Sequence, residues 1–227
     1  MTPGRIWQDH TARYRFACAY VRGKSVLDIA CGTGFGSRIL LEGGAARVVG
    51  MDIAEDAIRF ARDKYGTPGL EFETGDVLRI PSPPNSFERI VSFETIEHVH
   101  DQKRALAEMN RVLAPGGVLV ISSPNRKLTS PQKNKEDAPA NPFHVTEFTV
   151  DEFLGILDGR FEVLKTYGQR GAAKWKQILP LRRLLLRLGP GLLGPERGSP
   201  EPEERRWAKD YRYLIAVCSK AEACAEK

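Results

Sequence analysis

Residues 24–36, KSVLDIACGTGFG, contain the strongest structural signal in the chain. Residues 25–30 form a short apolar run that is interrupted only by Asp28, and such a run bounded by glycines predicts a buried strand. Glycines follow at alternate positions, and residues 37–42 can continue as a helix. A strand, a glycine-rich turn and a helix in this order predict the first unit of a doubly wound α/β sheet.

The glycine turn suits two classes of ligand. Glycine permits positive φ angles and close approach of a ligand to the backbone, and the helix that follows offers unpaired N–H groups. A dinucleotide site requires G-x-G-x-x-G, whose third glycine would fall at Ser37, but the chain has its glycine at Gly36. Asp28, at the strand end, would repel a pyrophosphate and would suit an ammonium group. A plain structural turn, with glycines chosen for geometry, is the remaining alternative.

The composition is that of an ordinary globular protein. The 227 residues fit one domain, residues 1–227, with 41% hydrophobic and 28% charged residues. The net charge of +5 excludes no class of partner by itself. The four cysteines include no C-x-x-C pair, which indicates reduced thiols. Because the chain starts with a polar segment and has no apolar run long enough to cross a bilayer, we expect a cytoplasmic protein.

Acidic residues follow the next two predicted strands. Residues 47–51 form an apolar strand that leads into Asp52, and an acidic residue at this place accepts hydrogen bonds from ribose hydroxyls. An amphipathic helix is predicted over residues 54–65. The third strand, residues 70–74, is followed by Asp76, which an ordinary turn would also explain.

Apolar patterns over the rest of the chain complete the predicted sheet. A capping box at Thr149 and Glu152 marks the start of the last predicted helix. Ligands of such open α/β sheets bind outside the carboxyl ends of the strands, so we expect the functional site there. The further strands are predicted over residues 87–93, 118–122, 161–167 and 211–218, and the further helices over residues 4–21, 101–113 and 150–157.

Several motifs resemble those of the class I S-adenosylmethionine (SAM) methyltransferases. They are D-x-A-C-G-T-G-x-G in residues 28–36, LAPGGVLVISSPN in residues 113–125, and an H-x-x-R-Y leader from His10. The resemblance implies SAM as cofactor and a Rossmann-like α/β fold: a doubly wound sheet of seven strands, mostly parallel with an antiparallel last strand, with helices on both faces. The leader and NPFHV-x-E-F-T in residues 141–149 are similar to a bacterial subgroup that methylates sugars, glycans or other small molecules.

The resemblance also implies which residues contact SAM. The leading helix would lie across the methionine end of SAM, where its polar side chains would meet the carboxylate, although a surface helix with solvated charges explains each of them equally well. Asp76 would take the adenine amino group, and Val77 would supply a backbone N–H and an apolar wall. The loop after the fourth strand would face both cofactor and acceptor. The predicted cofactor-binding residues are His10, Arg13, Tyr14, Asp28, Ala30, Cys31, Gly32, Gly34, Asp52, Ile53, Asp76, Val77, Phe93, Glu94 and His98.

The predicted reaction is methyl transfer to a hydroxyl of a small-molecule, sugar or glycan acceptor. A hydroxyl needs a positioned base, and histidine is the natural one near neutral pH. His144, in the loop after the fifth strand, and His98 are the catalytic candidates, although a lone histidine is often structural. Methylation of nitrogen, a lipid-linked, quinone-like acceptor, and a non-catalytic binding module of the same fold are the alternatives. No His or Cys pair stands at metal-ligand spacing, so no metal is predicted.

Two segments outside the shared motifs are expected to choose the acceptor. Residues 126–148 are predicted to be a loop on the substrate side, and its polar part, residues 126–141, is expected to be exposed and mobile. Residues 173–206 form a predicted insert, in which residues 173–193 have the pattern of a basic helix with a leucine face. That helix could roof the active site, pack against another subunit in a homodimer, or make a peripheral membrane contact. Its basic residues lie among leucines rather than stacking aromatics, so no nucleic-acid partner is expected.

Overall fold

The computed structural model describes residues 4–131, 136–171, 201–204 and 210–221. Helices and strands alternate through the first half of the chain, as the sequence pattern predicts. A 3₁₀ turn at Ile96–His98 follows the fourth strand. The other elements, in chain order, are α1 (Arg5–Val21), β1 (Ser25–Ile29), α2 (Phe35–Glu42), β2 (Arg47–Asp52), α3 (Glu55–Tyr65), β3 (Leu70–Thr74), β4 (Phe87–Ser92), α4 (Gln102–Val112), β5 (Leu113–Pro124), α5 (Arg126–Thr129), α6 (Val150–Leu157), β6 (Phe161–Gly171), β7 (Glu203–Glu204) and β8 (Tyr211–Lys220).

The strands of the described residues form one mixed sheet in the order β3-β2-β1-β4-β5-β8-β6-β7. β1 lies between β2 and β4 and is parallel to both, and the parallel part extends to β3 and β5. β8 is antiparallel to β5 and β6. The predicted Rossmann-like sheet with an antiparallel last strand is therefore confirmed. Its strand count is one higher than predicted, because Glu203–Glu204 adds a two-residue strand to the edge of β6 within the predicted insert.

Helices cover both faces of the sheet, as predicted. One apolar cluster packs α1, α2 and α3 on one face and contains Tyr14, Leu40 and Ile58. The other packs α4 and α6 on the opposite face and contains Met109 and Phe153. Since the helices bury both faces of the parallel strands, the carboxyl ends of those strands form the edge at which a ligand can enter.

Two strands extend several residues beyond the ends that the sequence pattern predicts. β5 begins at Leu113, directly after α4, rather than at Val118, because Leu113 pairs with Phe87 ahead of a bulge. β6 continues to Gly171 rather than ending at Tyr167, because its second half also pairs with β8. The pattern missed both extensions because proline, glycine and polar residues in them are typical of turns.

The prediction of an exposed, mobile loop over residues 126–141 is wrong for the start of that segment. A short helix, α5, begins it, with the Asn125 side chain as its N-cap. Ser130, just after α5, is buried, and its hydroxyl donates to the Glu147 carboxylate at 2.7 Å. Side-chain hydrogen bonds of this kind leave no periodic signal in the sequence.

The leucine-rich segment, residues 173–193, lies outside the described residues, as does most of the predicted insert over residues 173–206. None of the helices in the described ranges combines the length and the apolar character needed to cross a membrane.

Candidate functional site

Asp52, the last residue of β2, holds the glycine turn in place. The Gly32 N–H donates to Asp52 Oδ2 at 2.8 Å, and the Ala54 N–H donates to Oδ1 at 2.9 Å. Gly34 caps the start of α2 with a φ of 82°, a conformation that side chains with a Cβ rarely adopt. Each Asp52 oxygen keeps a further lone pair, so the two hydroxyls of a ribose could donate to it.

A cavity of about 460 Å³ opens at the carboxyl edge of the sheet. The loops after β1, β2, β3 and β4 form its walls. Asp76 is fixed by its own turn, in which the Leu78 N–H donates to Asp76 Oδ1 at 2.8 Å, and Ile53 remains 71% exposed. The predicted site residues that line this cavity are Ala30, Asp52, Ile53, Asp76, Val77, Glu94 and His98.

Asp28 lies beneath the turn rather than in the cavity wall. Its side chain is fully buried, Oδ1 accepts from the Tyr14 hydroxyl at 3.0 Å, and Oδ2 accepts from the Ser37 hydroxyl at 2.6 Å. Burial, opposed by these two hydrogen bonds, raises the pKa of Asp28 to about 7. The Asp28 carboxyl group therefore has no exposed side on which to make the predicted contact with an ammonium group. It instead joins α1 to the start of α2.

Other predicted residues pack below the cavity. Cys31 is buried, and burial raises the pKa of its thiol well above the usual value. Phe93 is also buried, with its ring edge-on to the Tyr14 ring at a centroid distance of 5.2 Å. Tyr14 in turn covers Gly36, where an added Cβ would overlap the ring. None of these side chains is among those that line the cavity.

Helix α1 carries a buried guanidinium group. Arg13 Nη1 donates to Gln169 Oε1 at 2.5 Å, and the guanidinium carbon lies 4.6 Å from the ring centre of Tyr213. Arg13 Nε and Nη2 have no hydrogen-bond partner among the described residues, although the side chain is fully buried. Burial and the charge of Arg13 lower the pKa of His10 to about 4, so His10 is neutral at pH 7. A carboxylate would satisfy the two free donor atoms of Arg13.

The two histidines predicted as base candidates meet beside the cavity. The rings of His98 and His144 lie edge to face with their centres 4.8 Å apart. The segment that carries His144 is held there by the N–H groups of Val145 and Thr146, which donate to the Glu97 carbonyl oxygen at 2.8 and 3.1 Å. The structure thus brings together two side chains that the sequence places in separate loops.

Glu147 is a candidate that the sequence analysis missed. Its Oε1 accepts from His144 Nδ1 at 2.7 Å, and its Oε2 accepts from the hydroxyls of Thr129 and Ser130 at 2.6 and 2.7 Å. Burial acts to raise the pKa of Glu147, but the three hydrogen bonds outweigh it and hold the pKa below its usual value. Because an ionised carboxylate only accepts, His144 carries its proton on Nδ1 and has a lone pair on Nε2. The only sign of this pair in the sequence is that His144 and Glu147 stand three residues apart, a spacing at which a histidine and a carboxylate can form a hydrogen bond.

Glu97 completes this cluster. Its side chain is fully buried, and neither carboxyl oxygen has a hydrogen-bond partner among the described residues. Burial, reinforced by the charge of Glu94, raises the pKa of Glu97 well above its usual value. Ligand atoms of Glu97, His98 and His144, one from each residue, lie within 4.8 Å of one another. The prediction of no metal rested on spacing along the sequence, which cannot detect residues that the fold brings together from separate loops.

Comparison with known proteins identifies relatives of the chain. A family profile described as a methyltransferase domain matches residues 27–121. A probable S-adenosylmethionine-dependent methyltransferase of Mycolicibacterium smegmatis is 36% identical over 163 residues, which cover 71% of this chain and 61% of that protein. A fatty-acid O-methyltransferase of the same organism is 33% identical over 212 residues, which cover 88% of this chain and 70% of that protein.

Solved structures resemble the whole fold at low sequence identity. The crystal structure of the [4+2]-cyclase SpnF matches with a TM-score of 0.67 and 20% identity, over 96% of this chain and 84% of that chain. A likeness at this level of identity shows the fold alone. The chain spans 53% to 61% of the length of three of the curated relatives that it matches.

Proposed function

The chain belongs to the class I S-adenosylmethionine-dependent methyltransferases, and on that premise we propose that it transfers the methyl group of SAM to a hydroxyl of a small-molecule, sugar or glycan acceptor. The observation that carries the proposal is the Asp52 carboxylate, which two backbone N–H groups hold at the wall of the 460 Å³ cavity. Such a carboxylate can accept from both ribose hydroxyls, and His98, which lines the same cavity, joins it to Glu97 and His144.

Two parts of the cavity wall fit SAM, and a buried side chain outside that wall offers a third contact. Asp52 would accept from the ribose hydroxyls, and Asp76 with Val77 would meet the adenine. The two unpartnered donor atoms of Arg13 would take the methionine carboxylate. SAM supplies a methyl group on a cationic sulfonium, so that alignment of the acceptor can account for much of the rate. The side chains of the protein would bind the cofactor, orient the acceptor and accept the proton that the acceptor hydroxyl loses.

In the simplest form of the proposal, His144 removes the proton from the acceptor hydroxyl. Its Nδ1–H is held by the ionised Glu147, which leaves Nε2 as the basic atom. Asn141 Nδ2 lies 2.8 Å from that nitrogen, and the acceptor hydroxyl would replace this amide as the donor. Transfer to oxygen is also the reaction in the name of the fatty-acid O-methyltransferase that matches 88% of the chain.

A lipid acceptor is the second candidate. The same relative is named for fatty acids, and Phe143, beside His144, is 79% exposed and could contact an apolar chain. A non-catalytic binding module is an alternative of another class. The fold does not exclude it, because one fold can carry unrelated functions.

The test is transfer of a labelled methyl group from SAM to a panel of sugars, hydroxylated metabolites, fatty acids, quinols and amines. We expect His144→Ala to lower turnover on the best acceptor by about 10²- to 10⁴-fold, because the hydroxyl loses its base, with SAM affinity nearly unchanged. Thr146→Ala is the matched control on the same segment. It keeps the backbone N–H that donates to the Glu97 carbonyl, so its turnover should equal that of the wild type.

Each arm of this assay has a clear negative result. Absence of transfer to every acceptor, with SAM bound, would favour the binding module over the enzyme. Transfer to amines alone would reject the hydroxyl acceptor. Turnover of His144→Ala equal to that of the wild type, or loss of SAM binding in this variant, would reject His144 as the base.

A further inference from the structure

We propose that Glu97, His98 and His144 form a binding site for a divalent first-row transition-metal ion beside the cavity. One ligand atom from each of the three lies within 4.8 Å of the other two. Two atoms that share one cation at about 2.1 Å lie about 3.0–4.2 Å apart, depending on the coordination angle, so the widest pair would have to close by about 1–2 Å. His98 is exposed, and its ring has room for such an adjustment.

Glu97 supplies the observation that points to a ligand. Its side chain is fully buried, and both carboxyl oxygens have no hydrogen-bond partner among the described residues. A buried carboxyl group without partners is costly, and polar groups in such positions are normally hydrogen-bonded or coordinate a metal. A cation held between Glu97 and the two imidazoles would supply the missing partner.

Both histidines are oriented as metal ligands usually are. His98 Nδ1 lies 2.8 Å from the Phe143 carbonyl oxygen, and His144 Nδ1 lies 2.7 Å from Glu147 Oε1. Because a carbonyl or an ionised carboxylate only accepts, each Nδ1 carries the proton and each Nε2 has the lone pair. Metal-bound histidines characteristically donate their second ring N–H to a carboxylate or a backbone carbonyl, which fixes the tautomer and the ring direction.

The Asn141 side-chain amide donates a hydrogen bond to the lone pair of His144 Nε2. Its Oδ1 accepts from the Phe143 N–H at 3.1 Å, so its Nδ2 faces His144 Nε2, at 2.8 Å. A cation would displace this amide from Nε2. The displacement exchanges one neutral hydrogen bond for a coordinate bond and leaves the Glu147 contact intact.

The donor set selects the class of cation. Two imidazoles with one carboxylate suit Mn²⁺, Fe²⁺, Co²⁺ or Zn²⁺, whereas Mg²⁺ and Ca²⁺ prefer oxygen ligands throughout. Three protein ligands leave coordination positions for a hydroxyl oxygen of the acceptor, and a bound cation lowers the pKa of a coordinated O–H. This role of the metal rests on the proposed function and gives it a different mechanism. His144 then acts as a metal ligand instead of a base, and the hydroxyl proton passes to water. The oxygen lone pair then forms the bond to the methyl carbon, while the electrons of the broken S–C bond return to sulfur.

The test is calorimetric titration of chelator-treated protein with Mn²⁺, Zn²⁺ and Mg²⁺, each alone, without SAM or acceptor. We expect one equivalent of Mn²⁺ or Zn²⁺ to bind more tightly than Mg²⁺. His98→Ala should weaken the binding of Mn²⁺ and Zn²⁺ by at least about 10-fold, and Glu147→Gln, through His144, by about 10- to 100-fold. His100→Ala is the matched control, since this exposed histidine lies outside the cluster and its loss should leave the metal affinity unchanged.

Because His98 is exposed, we expect His98→Ala to fold like the wild type. Thermal unfolding of each variant tests whether it is folded. No binding of Mn²⁺ or Zn²⁺ up to about 1 mM, or equal affinities of wild type and His98→Ala, would overturn the proposal. The outcome is separable from the proposed function. Metal binding without methyl transfer to any acceptor would support the metal site and count against the proposed function. Methyl transfer that a chelator does not affect would support the proposed function and reject a role of the metal in it.

Discussion

Asp28 is the buried polar residue on which the glycine turn depends. Hydroxyl groups from α1 and α2 donate to its two oxygens, so its carboxyl group links both helices to β1. Burial raises its pKa from 3.8 to about 7. The folded protein therefore binds this proton more tightly than the unfolded chain does. The contribution of Asp28 to stability is fully present below about pH 4 and is lost as the pH rises through about 7.

We predict that Asp28→Asn reduces the pH dependence of stability between pH 4 and pH 8. A pKa raised from 3.8 to about 7 corresponds to about 4 kcal/mol of stability lost by the wild type over this range, and an amide has no such proton to lose. The free energy of unfolding, measured with urea at several pH values, gives the two curves. Because all other titrating groups are shared, their difference isolates Asp28, and parallel curves would show that its pKa is not raised.

At the scale of elements, the contact between α1 and α2 depends on the absence of a side chain. A Cβ on Gly36, in the first turn of α2, would overlap the ring of Tyr14, in α1. The same ring carries the hydroxyl that donates to Asp28. A displaced Tyr14 would therefore disturb both helix packing and the support of the turn.

We predict that Gly36→Ala and Gly155→Ala change stability in opposite directions. Gly36→Ala should lower the free energy of unfolding by about 1–3 kcal/mol, because the added methyl group overpacks the interface with Tyr14. Gly155 lies in the middle of α6, is exposed, and would have nothing within 4 Å of an added Cβ. Gly155→Ala should therefore raise the free energy of unfolding by about 0.5–1 kcal/mol. Urea unfolding of both variants is the measurement, and equal shifts would contradict the packing argument.

Elements with a strong local pattern could be predicted from the sequence. Helix α6 begins at Val150, as the capping box of Thr149 and Glu152 predicts, and α3 begins one residue after its predicted start. Strand β7 could not be predicted, because Glu203–Glu204 has no apolar pattern and forms only through pairing with β6. Tertiary pairing, which local patterns do not encode, likewise extends β5 and β6.

At the scale of the whole molecule, topology explains which site residues could be predicted. Parallel strands that are neighbours in a sheet have their carboxyl ends at the same edge. The side chains at the ends of β2, β3 and β4 therefore lie around one cavity, and they include Asp52, Asp76 and Glu94. No such rule joins His98 to His144. Their contact depends on the hydrogen bonds from residues 145–146 to the Glu97 carbonyl, and these bonds have no signature in the sequence.

Calorimetric titration with SAM and, separately, with NAD tests whether the cavity at the edge of the sheet is a SAM site. We predict that the wild type binds SAM in preference to NAD. Asp52→Ala should weaken SAM binding by about 1–3 kcal/mol, or about 5- to 150-fold, because the Gly32 N–H and the ribose hydroxyls lose their acceptor. Asp56→Ala, four residues along on the exposed start of α3, should bind SAM like the wild type. Binding of NAD but not SAM, or equal SAM affinities of Asp52→Ala and Asp56→Ala, would contradict this prediction.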